Sequence, residues 1–246
     1  MTDILFINPL GWDGCIWARV LENMPDQTFD FIEFTEESFK SISKKEIEKV
    51  LLNKMTKVRR GGFIVSASYG TVVLLNGLEI FSEYLDGVNL IIIEGLEPIP
   101  PESVLKTYFE PEIKFTSKEE YLSKTLSVEE MQDEFLVELI LRKLKKEGSE
   151  YMVRPNSRIE YNYLSLYAGV DNLELLKRSR NIFNKLSVFS YFKLVGMNYT
   201  QIEESDHLLM VTKPKMILDI LLVLLMERLF CLMGWKFLAN TLMRSI

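Results

Sequence analysis

A chain of 246 residues that is 48% hydrophobic and 26% charged can bury a sizeable core, and it is too evenly mixed to be disordered or fibrous. A formal net charge of -6 argues against a nucleic-acid partner, whose phosphates demand a basic face. The two cysteines, Cys15 and Cys231, have neither metal-ligand spacing nor the makings of a disulfide framework, and Met1-Thr2-Asp3-Ile4 lacks a basic, then apolar leader, so a cytoplasmic protein is expected.

The first element, Ile4-Leu5-Phe6-Ile7-Asn8, is a continuous apolar run, predicting a strand buried on both faces that ends at Pro9-Leu10-Gly11. Phe29 to Phe34 alternates, which predicts a strand nearer the sheet edge, followed by a polar helix from Glu36 to Met55. A strand over Phe63–Ser66, a helix through Leu85 and a strand over Val88–Ile93 come next. Strands alternating with helices imply a parallel sheet. Pro98-Ile99-Pro100-Pro101 interrupts the alternation. Beyond it the charged pattern predicts a helical cap over 98–156, between core segments 1–97 and 157–246. In the cap, Ser127-Val128-Glu129-Glu130 has the form of a capping box heading a long helix to Lys146. Strand character returns at Tyr161–Gly169, then a helix over Leu173–Leu186 and a last strand near Phe189–Val195.

Chemistry concentrates at Ser66-Ala67-Ser68-Tyr69-Gly70, where the apolar run breaks and resumes with helical period. A serine at such a turn needs small residues two places before and after it, because Cβ atoms there would collide as strand and helix cross. The motif resembles the nucleophile elbow of the α/β-hydrolase family, with Ser66 in place of the first glycine; an ordinary strand-to-helix turn is the other reading. The resemblance implies an α/β-hydrolase fold, a mostly parallel sheet flanked by helices with an inserted helical cap.

It also implies roles for other residues. His207, the chain's one histidine, stands before the final helix where the family places its catalytic base, although a lone histidine also serves as a solvated or core residue. Asp171, after Leu164–Gly169, resembles the family's acid, and the chain order Ser68, Asp171, His207 is that of the fold; Asp171 also suits the N-cap of the next helix. Asp206 is a second acid, but adjacency to His207 turns their side chains to opposite faces. The resemblance places one oxyanion donor on the Tyr69 N–H and aligns Asn8-Pro9 with the family's His-Gly, which puts the other on Leu10. Trp12 suits an aromatic lining beneath that loop. Phe135 and Leu139 suit an acyl pocket under the cap, or only its packing.

The last segment, Met216 to Ile246, is apolar on several faces but broken by Asp219, Glu227 and Arg228, short of a membrane span. It is expected to meet a dimer mate, a partner or a membrane surface, or to bury its first half on its own sheet. The expected activity is cleavage of a carboxylic ester or thioester of a small-molecule or carrier-protein-bound acyl group, without cofactor or metal. A non-catalytic binder of a small apolar ligand on the same fold is the alternative.

Overall fold

The computed structural model describes residues 1–108, 113–155, 157–179, 185–190, 199–201, 209–219 and 221–222. The chain forms two compact units, one of Met1–Cys15 with Thr28–Glu203 and one of Ile16–Gln27 with Glu204–Ile246.

The larger unit is built on a six-stranded sheet. Strand β1 (Thr2–Leu10) is an interior strand, with Ile4 to Ile7 all fully buried, and β2 (Phe29–Phe34) takes the edge that its alternation predicts. Next across the sheet come β3 (Val58–Ala67), β4 (Asn89–Ile93), β8 (Lys185–Ser190) and the short β9 (Thr200–Gln201). The order is β2-β1-β3-β4-β8-β9 and every pairing is parallel, so all carboxyl ends lie along one edge. Helices α2 (Lys44–Met55), α3 (Tyr69–Phe81) and α8 (Asn172–Ser179) flank it. Helix α2 begins at Lys44 rather than Glu36: Thr35 and Ser38 close a side-chain turn first, and the Ser43 hydroxyl, accepting from the Glu46 N–H, starts the helix.

Further sequence expectations are corrected: Lys185 and Leu186, expected at the end of a helix, belong to β8. Tyr161–Gly169 is not a strand: α7 (Ser157–Ser165) and a turn occupy it, and Tyr163 and Tyr167, both buried, share one face at a spacing of four. Alternating aromatics gave a period of two, but the burial follows the helical one. Nor does a long helix run to Lys146. The Ser127–Glu130 capping box forms, with the Glu130 carboxylate accepting from the Ser127 N–H at 2.7 Å, yet it closes only a 3-10 turn over Glu130–Gln132. Asp133 then caps α6 (Glu134–Leu141), and the charged stretch beyond is a hairpin, β6 (Leu144–Glu147) and β7 (Glu150–Val153), turning at Gly148 with φ +64°. With β5 (Lys114–Phe115) these strands make a three-stranded antiparallel sheet, accompanied by α4 (Glu102–Leu105) and α5 (Lys118–Thr125). The segment expected to be a purely helical cap is thus mixed. Helix-favouring lysines and glutamates hide the hairpin because one face of a solvated ribbon can carry them.

The smaller unit contains α1 (Ala18–Leu21), α9 (Leu209–Thr212) and helical residues over 214–219, with the Arg19 guanidinium donating to the Val211 carbonyl at 3.3 Å. Among the described residues no helix is long and apolar enough to cross a membrane. The apolar stretch from 223 onward lies outside the described residues.

Candidate functional site

Ser68 closes β3 and opens α3 with φ 49° and ψ -118°. A non-glycine residue in that left-handed region costs about 1–3 kcal/mol, which the surroundings must over-determine. They do so from three sides. Gly70 permits the crossing of α3 over β1: a Cβ there would stand 2.2 Å from the Ile7 carbonyl oxygen. Gly95, with φ +80°, lies so close to the turn that its Cβ would meet the Ser68 carbonyl oxygen at 2.1 Å. The Ser68 N–H is held by the Ile93 carbonyl at 3.0 Å. Ser66, standing where a glycine was expected, is accommodated because its hydroxyl pairs with that of Thr71 at 3.1 Å, both fully buried.

Tyr69 fixes the start of α3 from the other end of its side chain. Its hydroxyl donates to the Tyr163 carbonyl at 2.8 Å, and its ring stands edge-on to Phe34, Tyr163 and Tyr167 at 5.0, 5.7 and 6.0 Å. Burial pushes its phenol far above the ordinary value, so the side chain stays neutral and serves as an anchor. Its backbone N–H is among the first of the helix, which have no intrahelical acceptor and carry the positive end of the helix dipole.

The turn after β1 is the second source of donors. Asn8 is fully buried and its amide donates to the Trp12 carbonyl at 3.2 Å, closing the Pro9–Trp12 turn. The N–H of Gly11 bonds to Phe34 on the β2 side and that of Trp12 to Pro9, and Pro9 has none. Successive amides of a strand face opposite ways, so the Leu10 N–H faces the side of β3, the strand that ends at Ser68.

The structure gives Asp171 a capping role. It is exposed, its carboxylate accepts from the Glu174 N–H at 3.0 Å, and it precedes α8 after a helix and turn rather than a strand. The adjoining Asn172 is fully buried against Asn76 (3.5 Å) and the Glu97 carbonyl (2.8 Å), and Asn76 lies about 12 Å along α3 from Ser68 at 1.5 Å per residue. His207 and Asp206 lie outside the described residues.

Strand register brings another acidic residue, Glu94, to the level of Ser68. The register pairing Ala67 with Ile93 and Ile93 with Phe189 sets Glu94 beside Ser68 on one side and Ser190 on the other. Glu94 is 4% exposed, its N–H bonds the Phe189 carbonyl at 2.9 Å, and its φ of 63° is again left-handed. An acid-glycine pair directly after an all-apolar strand was the signal available in the sequence, since the carboxyl ends of parallel strands are where sites form.

A cavity of about 380 Å³ opens over the turns after β1 and β2, lined among others by Trp12, Leu139, Lys143 and Arg154. Ser68 is not in its wall, and Phe135, half-buried, is not either. Trp12 and Leu139 line this one cavity, and Phe135 stands apart from it. No cluster of three or more potential metal ligands occurs among the described residues.

No protein-family model and no curated protein sequence matches the chain. Solved structures do. The thioesterase domain from the curacin biosynthetic pathway superposes with a TM-score of 0.59 at 12% identity over 89% of this chain and 90% of that one. E-2-(acetamidomethylene)succinate hydrolase gives 0.61 at 12% identity over 89% of each chain. A carboxylesterase of the ammonia-oxidizing thaumarchaeon Nitrososphaera gargenis gives 0.55 at 16% identity over 91% and 90%. Identities this low carry the fold alone.

Proposed function

We propose that this chain, which has the α/β-hydrolase fold, is a serine hydrolase that cleaves a carboxylic ester or thioester through an acyl-enzyme. The observation that carries the reading is Ser68 itself, a non-glycine residue held at φ 49° between a strand and a helix N-terminus by two glycines whose Cβ atoms have no room. Nothing in packing alone calls for a serine at that strained position.

In this mechanism the Ser68 oxygen attacks the acyl carbonyl carbon while His207 takes the hydroxyl proton. The oxyanion is met by the N–H groups of Tyr69 and Leu10. Collapse breaks the bond to the alcohol or thiol, which leaves with the proton from His207. Water then repeats the sequence on the acyl-enzyme and releases the acid. Two residues are candidates to hold the base: Asp171 by chain order, and Glu94 by its burial beside Ser68. The substrate is a small-molecule or carrier-bound acyl group.

The test is fluorophosphonate labelling with p-nitrophenyl acyl ester hydrolysis, on wild type and Ser68→Ala. Labelling and turnover should vanish in the variant. A folded wild-type protein that neither labels nor turns over would instead support the non-catalytic binder of a small apolar ligand. Glu94→Gln and Asp171→Asn separate the acids: loss of the pH–rate limb near neutrality together with a 10²–10⁴-fold fall in kcat is expected in whichever holds the imidazole.

A further inference from the structure

The wall of the cavity over the β1 and β2 turns carries four cations, Arg142, Lys143, Lys145 and Arg154, and both arginines are already neutralised. Arg142 pairs with Asp13 at 2.9 Å; Arg154 pairs with Glu147 at 2.5 Å and Glu36 at 3.6 Å. Lys145, also in the wall, is exposed to water, whereas Lys143 is only partly so. The Lys143 ammonium lies 4.2 Å from the centre of the Trp12 ring, and no carboxylate among the described residues comes within 4.0 Å of it. Burial holds its pKa below the ordinary lysine value, with Glu160 acting on it only from a longer range. An ammonium taken from water without a paired anion is costly, and an indole face recovers only part of that cost.

The cavity supplies what such a group lacks, room for a ligand's own anion. Trp12 and Leu139 make an apolar wall next to the ammonium. The cavity opens over the turns after β1 and β2, and Ser68 ends β3, the strand next to β1, on the same edge of the sheet. A single compact ammonium on an apolar wall suits one negative charge, whereas a phosphate would favour the arginine forks, which are engaged elsewhere.

We propose that this cavity is a carboxylate subsite in which Lys143 pairs with a free carboxylate on the substrate, remote from the bond that is cleaved. The substrate class is then the monoester or monothioester of a dicarboxylic acid, or an acyl group bearing a terminal carboxylate. This rests on the serine-hydrolase reading for its kinetic consequence, but not for its binding consequence.

Two experiments separate them. In the first, kcat/KM is measured for p-nitrophenyl butyrate and for the p-nitrophenyl monoester of glutaric acid on wild type, Lys143→Met and Lys143→Arg. Wild type should favour the anionic ester by roughly tenfold or more, the range of one charge-assisted hydrogen bond. Lys143→Met should lose that preference through KM, bringing the ratio of kcat/KM for the two esters to about one, and Lys143→Arg should keep part of it. Equal rates for both esters in wild type, or an equal loss on both in Lys143→Met, would overturn the proposal. In the second, monomethyl glutarate is titrated into wild type and Ser68→Ala with tryptophan fluorescence as the readout and dimethyl glutarate as the neutral control. Saturable binding of the monoanion alone, abolished in a folded Lys143→Met, upholds the subsite even if no ester is hydrolysed. No binding, or equal binding of the neutral diester, sinks it whether or not the enzyme is active.

Discussion

Replacing Gly70 by alanine probes the packing that creates the elbow. The added Cβ would lie 2.2 Å from the Ile7 carbonyl oxygen, 2.7 Å from its carbon and 2.8 Å from the Asn8 oxygen, all of them backbone atoms of β1. Contact at van der Waals distance would be roughly 1 Å longer. No rotamer change relieves the clash, because β1 is paired on both sides and its core residues are fully buried. Overpacking costs about 1–3 kcal/mol in a core that can adjust, so a paired backbone puts this case at about 3 kcal/mol or above. For a chain of this length that is a fall in Tm of about 6–12 °C. Gly148→Ala is the control: φ is +64° but nothing lies within 4 Å, so only the backbone penalty of about 1–2 kcal/mol applies, partly offset by about 0.4–1 kcal/mol from a stiffer unfolded chain. Thermal unfolding followed by circular dichroism compares them. A Gly70→Ala protein melting within about 2 °C of wild type, or one more stable than Gly148→Ala, would refute the α3–β1 crossing as described.

Tyr163→Phe removes the hydroxyl that donates to the Thr35 carbonyl at 2.8 Å, whose phenol burial pushes up to about 12; urea unfolding should show a loss of about 1 kcal/mol. Asp171→Ala removes the cap of α8 and should cost about 1 kcal/mol in the same assay, whatever it does to turnover. Asp3 contributes a pH-dependent term. Burial works to raise its pKa, but the Thr28 hydroxyl and amide and the Arg59 guanidinium outweigh it, and the folded value lies below the unfolded one. Its stabilisation is therefore complete above about pH 4 and is lost as pH falls through the depressed folded value, so the stability gap between wild type and Asp3→Asn should be constant from pH 7 to about 5 and shrink in stronger acid.

The strands and the elbow were legible in the sequence because their signals are local. Continuous apolar runs at Ile4–Ile7 and Leu90–Ile93 mark strands buried on both faces, and the small residues around Ser68 mark a turn whose steric demands lie within five positions. Where local signals competed, the tertiary structure decided. Tyr161 to Tyr167 satisfies a period of two and a period of four at once, and only the aromatic cluster of Phe34, Tyr69 and Tyr163 selects the helix. The charged run at Leu144–Glu147 has helical propensity, yet it pairs with Glu150–Val153, and that strand with Lys114–Phe115, to make a sheet. The neighbourhood of Ser68 is likewise non-local. Chain order points to Asp171, but strand register brings Glu94 beside the serine, and a turn after β1 meets the end of α6 to enclose Lys143. Sequence patterning determines which residues must be buried; which buried charges become neighbours follows from strand order and register, which only the folded chain possesses.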